Sequence, residues 1–599
     1  MLRPDSPTLR HLTVIGFYLV VTVLMTWPVA AHPGDRIAGY PADNRLYVWT
    51  PWVFRQEVLS DLDPRHTTYI YYPDGVNLAL HALIVTKTIP GVILQTFISP
   101  VVTFNFFLLV SMALSGYTTW LLVRHLTGDG IAALVGGLVF ACSPFYLAHA
   151  SAGHLDYISA EGIPLFGYFF IKSFEKKRWQ DALYAGLAMA YTALSNWAYL
   201  LYLLVFCALF LIYHLLVERQ ARLRWPVLRQ YAIIAVVAGV CSAPLMIPAY
   251  LASRSGTYDI TRYVGGAALY VSDILGFFTP SPDHFLVGDL VQPIFSRFTG
   301  GRCEGTVFLG FSVLILAGLG LRQAGHRQGR FWLAAALLFA LISLGPGLHV
   351  LGHYQFPWLS WMRMGTVAQR LGVPMKPEWV RMFDEAPMIP LPGAVLQLLP
   401  FFKWTRAPSR FIAVTMLALA VLAGFGVTRL REMLRDRRWL RLPASTVVTV
   451  MMGLVVLLEF CIFPFPTTPA TVLAFYRRLA EEPGDFAILE LPIKPYQLQP
   501  QYWQTIHGKQ LVYGHISRVP EERFAYLDFI ASEVYHPTGY FEAVDIRYLV
   551  LHEDQLAGLE PAEAEALETA LETNFELVKA EETLRIYCGY ADCASMECP

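Results

Sequence analysis

Residues 31–80 read AHPGDRIAGYPADNRLYVWTPWVFRQEVLSDLDPRHTTYIYYPDGVNLAL, a polar, aromatic segment directly after the apolar run Leu12–Val29. Asp35, Asp43, Asp61, Asp63 and Asp74 crowd into it with Arg45, Arg55 and Arg65, whereas most of the chain up to residue 465 is apolar. A large polar loop placed so early in an apolar chain reads as a site built at a membrane surface. Asp43, in GYPADNRLYVW just beyond the first span, is its leading carboxylate.

Composition fixes the class. The 599 residues are 55% hydrophobic and 14% aromatic, with only 15% charged, against roughly 25% charged in soluble domains. An integral membrane protein follows. A net charge of −1 excludes a general nucleic-acid binder, which needs a basic face. Cys142, Cys207, Cys241 and Cys461 sit in apolar runs and read as small core residues. Cys588, Cys593 and Cys598 cluster at the end of the chain, a pattern open to a disulfide. Arg3 and Arg10 precede the first apolar run, which is long enough to span and reads as a retained helix with a cytoplasmic N-terminus.

Segments near the roughly 20 residues of a membrane-crossing helix fall at 12–30, 101–123, 131–148, 160–174, 181–195, 197–217, 230–250, 305–321, 331–350, 408–428 and 444–464. Counting 84–98 as a further span would place the basic clusters at Lys176–Arg178, Arg219–Arg229, Arg322–Arg330 and Arg429–Arg441 on the outer side. The positive-inside bias therefore assigns 84–98, broken by Lys87 and Pro90, to an interfacial or re-entrant position. The prediction is an α-helical polytopic membrane protein of about eleven spans, covering 1–465 with a large outward loop at 31–100. Residues 466–599 shift in composition and predict a small C-terminal extracytoplasmic α/β domain. Its strand candidates are Phe486–Leu491, LVYGH, IRYLVLH, FELVKA and LRIYCG, and PAEAEALETALETN is a helix.

Four polar constellations carry candidate chemistry. Asp43 can act as a base, bind a metal or pair with Arg45, or else form an Asx-type turn after Pro41. HASAGHLDYISAEGIP gathers His149, His154, Asp156 and Glu161. Glu161 is explained by the first turn of a helix restarting near Ser159. His154 and Asp156 are not so explained, because polar groups beside a membrane are costly to desolvate. Asp156 with Asp43 could deprotonate an acceptor or hold a divalent cation, with His154 as a further ligand. Arg254, Arg262, Arg297 and Arg302, with Glu304, lie in the 251–304 loop, where guanidinium groups can fork onto phosphate oxygens or anchor to lipid headgroups. LLPFFKWTRAPSRF repeats the theme with Lys403, Arg406 and Arg410. No Walker loop, dinucleotide fingerprint, HExxH or GxSxG is present, so ATP-driven transport and soluble hydrolase chemistry have no support.

A first span, a long outward loop with an Asp near its start, many further spans and a polar tail resemble the GT-C superfamily of integral membrane glycosyltransferases, most of all its bacterial multi-pass members. The residues that carry the resemblance are Asp43 in GYPADNRLYVW, His154-Leu155-Asp156, Glu304-Gly305 with Phe308-Leu309-Gly310, and Arg406-Ala407-Pro408-Ser409-Arg410-Phe411. The resemblance implies a cell-membrane transferase that takes a sugar from a polyprenyl-phosphate donor to an extracytoplasmic glycan, lipid or protein acceptor. Asp43 would be the base or acceptor-orienting acid and Asp156 its support. Arg45, His154, Glu161, Arg254, Arg262, Arg302 and Glu304 would bind substrate, and a divalent cation, if used, would fall to Asp43, Asp156 and His154. The family usually has neighbouring acids where HLDY offers one Asp. The competing reading is a non-catalytic membrane protein, a lipid or polysaccharide transport component or a scaffold for its tail.

Overall fold

The computed structural model describes residues 6–60, 65–81, 83–217, 225–255, 269–358, 365, 369–370, 388–396, 399, 402, 405–439 and 442–590. A long central helix, Ile412–Met433, is apolar over its first four turns, with every residue from Ile412 to Thr428 buried. A helix without a polar face belongs inside other helices. Here Ala132–Ala141, Phe311–Gln323 and Gly325–Ser343 pack against it. Glycines allow the close approach. A Cβ on Gly426 would stand 2.0 Å from the Leu316 carbonyl oxygen, and one on Gly320 1.9 Å from that of Leu422. Small residues that let backbones meet are the usual seam of helices in lipid.

The first helix, Pro7–Met25, is held by the same device. Tyr18 is buried and donates to the Leu134 carbonyl at 2.9 Å. Its ring fits because positions 116 and 137 are glycine, and a Cβ on Gly137 would fall 1.9 Å from the phenol oxygen.

Among the described residues, Pro7–Met25, Pro100–Thr127, Trp197–Leu216, Trp225–Arg254 and Pro408–Met433 are long and apolar enough to cross a membrane. The pair Ala132–Ala141 and Pro144–Ser151, bent by 41°, makes a sixth. The chain is a multi-pass membrane protein. The segments expected at 160–174, 181–195, 305–321 and 444–464 form helices of 15, 17, 13 and 17 residues, each shorter than the roughly 20 residues of a full crossing. Val85–Leu94, inside the segment that charge bias kept out of the count, is a 10-residue helix with Pro90 within it.

The chain divides into two compact units. One comprises Met1–Ala31, Phe106–Ala243 and Ile260–Pro466, and holds the helices just described around Ile412–Met433. The other comprises His32–Asn105, Pro244–Asp259 and Thr467–Pro599. Within this second unit Arg36–Ala38 pairs antiparallel with Thr467–Pro469, and the helix Asn44–Leu59 packs on Gln499–His507. Trp49, fully buried, donates to Gln504 Oε1 at 2.8 Å.

The tail forms a five-stranded sheet in the order 576–581, 584–588, 546–552, 487–491, 510–511. The last three are parallel to one another and the first two antiparallel. Strands form within all five marked segments, although LVYGH contributes only one residue to the two-residue strand Gln510–Leu511. Between two parallel strands the Glu490 carboxylate accepts from Tyr476 at 2.8 and 3.0 Å and meets His552 Nε2 at 2.6 Å, all deeply buried. Cys588 is disulfide-bonded, and Cys593 and Cys598 lie outside the described residues.

Two expectations follow. Gly426→Val forces the Phe311–Gln323 helix off its seat, and overpacking of this kind costs about 1–3 kcal/mol, read as a lower melting temperature of the detergent-solubilised chain. His81 and His507 are both buried, and burial pushes each imidazole down to about 3. The folded state therefore resists protonation that the unfolded chain accepts near 6.5. Stability is complete above that value and falls as pH drops from 6.5 toward 3, by up to about 1.4 kcal/mol per pH unit for each histidine. Melting from pH 7 to 4.5 should show this slope, and the H81Q/H507Q double variant should flatten it.

Candidate functional site

The polar residues of the first unit converge where the central helix begins. Pro408–Phe411 is a 3-10 turn leading into Ile412–Met433, with proline where its missing N–H costs nothing. Arg410 lies in that turn. Its Nε donates to Glu304 Oε1 at 3.0 Å, a second guanidinium nitrogen bonds the same oxygen, and the two side chains are only 13% and 10% exposed. The third nitrogen donates to the Tyr157 hydroxyl, and the guanidinium carbon lies 4.1 Å from the Tyr157 ring centroid. A planar, always-charged fork suits this combined pairing and stacking, which a lysine could not reproduce.

The HASAGH segment supplies the next layer through a helix-ending motif. Gly153 adopts φ +73°, the left-handed position that favours glycine. The His154 N–H then bonds the His149 carbonyl at 2.9 Å and the Gly153 N–H that of Ala150 at 3.0 Å. This Schellman closure turns the chain back so that the His149 and His154 Nδ1 atoms stand 2.7 Å apart. His149 is fully buried, with its ring centroid 4.9 Å from that of Tyr157. Cys303, one residue before Glu304, approaches the Ala148 carbonyl at 3.8 Å. Asp156 accepts from Asn196 Nδ2 at 3.1 Å, while Asn196 Oδ1 accepts from the Ala198 N–H at 2.9 Å, fixing the break between two helices. Tyr199 donates to the Tyr157 carbonyl.

The expected site residues separate by unit. Asp156, His154 and Glu304 take part in the arrangement around Arg410. Glu161 stands at the N-cap of Gly162–Lys176 and accepts from Tyr191, one position ahead of the expected first turn. Arg302 forms an ion pair with Asp283 at 3.1 Å and is 45% exposed. Asp43 and Arg45 belong to the second unit. Asp43 is the N-cap residue of Asn44–Leu59, where the helix dipole favours a carboxylate. The following Asn44 is buried and ties the turn to the Ala38 carbonyl at 3.2 Å and Thr468 Oγ1 at 3.3 Å. Burial lowers the Arg45 guanidinium, and nearby Tyr502 opposes the shift. Arg254 is exposed at the end of Trp225–Arg254. Arg262 and Lys403 lie outside the described residues.

The sequence grouped Arg410 with Lys403 and Arg406 as a phosphate clamp or headgroup anchor and passed over Tyr157, Asn196 and Cys303. The signals available were an arginine at the first turn of an apolar span and a cysteine directly before Glu304.

The arrangement of helices is similar to that of a solved arabinofuranosyltransferase. A family model described as "Domain of unknown function (DUF6311)" matches residues 13–369, and the chain belongs to that family. No curated protein matches it. Among solved structures, the arabinofuranosyltransferase AftD from Mycobacteria superposes with a TM-score of 0.56 at 12% identity, covering 98% of this chain and 40% of that one. This likeness carries the fold, and the chain spans well under half the length of that relative. The Archaeoglobus fulgidus oligosaccharyltransferase (TM-score 0.44, 12% identity, 94% of this chain and 71% of that chain) and ArnT from Cupriavidus metallidurans (0.41, 14%, 98% and 99%) also match.

Breaking a buried ion pair by removing one partner costs about 3–5 kcal/mol. Arg410→Gln and Glu304→Gln should each destabilise the detergent-solubilised chain on that scale. The double variant should cost clearly less than the two added, as measured by a double-mutant cycle in thermal unfolding.

Proposed function

We propose that the protein is a cell-envelope glycosyltransferase that moves a sugar from a polyprenyl-phosphate donor to an extracytoplasmic acceptor. The observation that carries this reading is the buried Arg410–Glu304–Tyr157 cluster at the start of the central helix of a GT-C fold. Charged groups inside a membrane bundle are expensive to keep and mark functional sites. Arg410 also adds its charge to the positive end of a helix dipole, so this corner favours an anion. Glu304 supplies one, and the donor phosphate is of the same sign and suits the same fork. Arg302 and Arg254 are further phosphate contacts, and His154, Glu161 and Arg45 line the substrate path.

The reaction follows from these roles. Asp43, supported by Asp156, takes the proton of the acceptor hydroxyl or orients it. The hydroxyl oxygen bonds to the anomeric carbon as the bond from that carbon to the phosphate oxygen breaks. Polyprenyl phosphate leaves with the electron pair. About eleven crossings, with a cytoplasmic N-terminus and with the 31–100 loop and residues 466–599 outside, would put both substrates on one face.

In proteoliposomes charged with a polyprenyl-phosphate sugar and a matched acceptor, Asp43→Asn should lower turnover about 100-fold or more, the contribution of a positioned base. Arg410→Lys should raise KM for the donor in parallel. Unchanged turnover in a folded Asp43→Asn protein would remove Asp43 from the mechanism.

A further inference from the structure

We propose that His149, His154 and Cys303 form a binding site for a zinc-class divalent cation. The three side chains come from three elements: the helix Pro144–Ser151, the turn that precedes Leu155–Ile158, and the short helix Gly301–Gly305. Their ligating atoms all lie within 4.8 Å of one another. Two imidazoles and a thiol are a set that suits Zn²⁺, whereas Mg²⁺, Ca²⁺ and Mn²⁺ prefer oxygen ligands. The site is distinct from the carboxylate set of Asp43 and Asp156, and it stands whether or not the chain transfers a sugar.

A further observation points to a ligand. His149 is fully buried, and its Nδ1 faces that of His154 at 2.7 Å, so without a cation the two nitrogens must share a single proton.

The geometry needs little adjustment. Zn–N near 2.0–2.1 Å and Zn–S near 2.3 Å place tetrahedral ligand atoms roughly 3.3–3.6 Å apart. The histidine nitrogens would open by under about 1 Å and the sulfur would close by a similar amount. Three protein ligands leave a fourth position for water or another donor. The Gly153 turn that brings His154 back to His149 already fixes the spacing of the two imidazoles. Because His149 stacks near Tyr157 and Tyr157 bears Arg410, the cation would also lock the ring that positions the guanidinium.

The test uses the full chain in detergent, stripped with a chelator and reloaded with Zn²⁺ or Co²⁺. Wild type should retain a single zinc after desalting, and its cobalt form should show the sulfur-to-cobalt charge-transfer band. Cys303→Ser should abolish that band and weaken zinc at least about tenfold, the least that even outer-shell changes typically cost. His149→Gln should lose zinc likewise. Cys241→Ser, which removes an exposed free thiol, should change neither readout. Zinc retention no higher in wild type than in Cys303→Ser would overturn the proposal, as would a charge-transfer band that survives that substitution. If His149→Gln fails to fold, the absence of the band in folded wild type overturns it alone.

Discussion

The first unit depends on keeping one guanidinium charged inside an apolar bundle. The helix Ile412–Met433 has no polar face and is buried along most of its length, yet the turn that starts it carries Arg410. In a low-dielectric interior such a charge must find its counter-charge and fill its donors locally. Glu304 accepts two of the donor groups and Tyr157 accepts a third while lending its ring. That requirement fixes the short helix at Gly301–Gly305 and the HASAGH turn to the entrance of the central helix. Asn196, Tyr199 and His149 then hold Asp156 and Tyr157 from behind.

Close helix packing holds the first unit together. Glycines at 320 and 426 bring two helix backbones together, and those at 116 and 137 admit Tyr18. The likeness to AftD carries the fold alone, and the proposed chemistry rests on the residues.

Much of the fold was legible in the sequence. Apolar runs placed the helices, alternation placed the tail strands, and charge bias separated the 84–98 segment from the spans. Helix lengths were not legible, because a buried short helix such as Phe311–Gln323 and a crossing helix have the same composition. The pairing of Arg36–Ala38 with Thr467–Pro469, and of Trp49 with Gln504, joins residues more than four hundred positions apart and leaves no local pattern. At the site, Glu304 and Asp156 were found as acids out of place near a bilayer. In the sequence Arg410 is grouped as a phosphate clamp or headgroup anchor and not as half of an ion pair, since its counter-charge Glu304 is distant in sequence. His149 was noted without a role, and the part played by Cys303 appears only once Gly153 has turned the chain.

The proposed glycosyl transfer makes the lipid-linked sugar pool and the envelope glycans its two readouts. Comparing lipid-linked sugars and envelope glycans in a host with and without the gene tests it most directly. Deletion should make one polyprenyl-phosphate sugar accumulate while one glycan loses that sugar, and wild type, but not Arg410→Lys, should restore both. An unchanged lipid pool together with unchanged envelope glycans would contradict it.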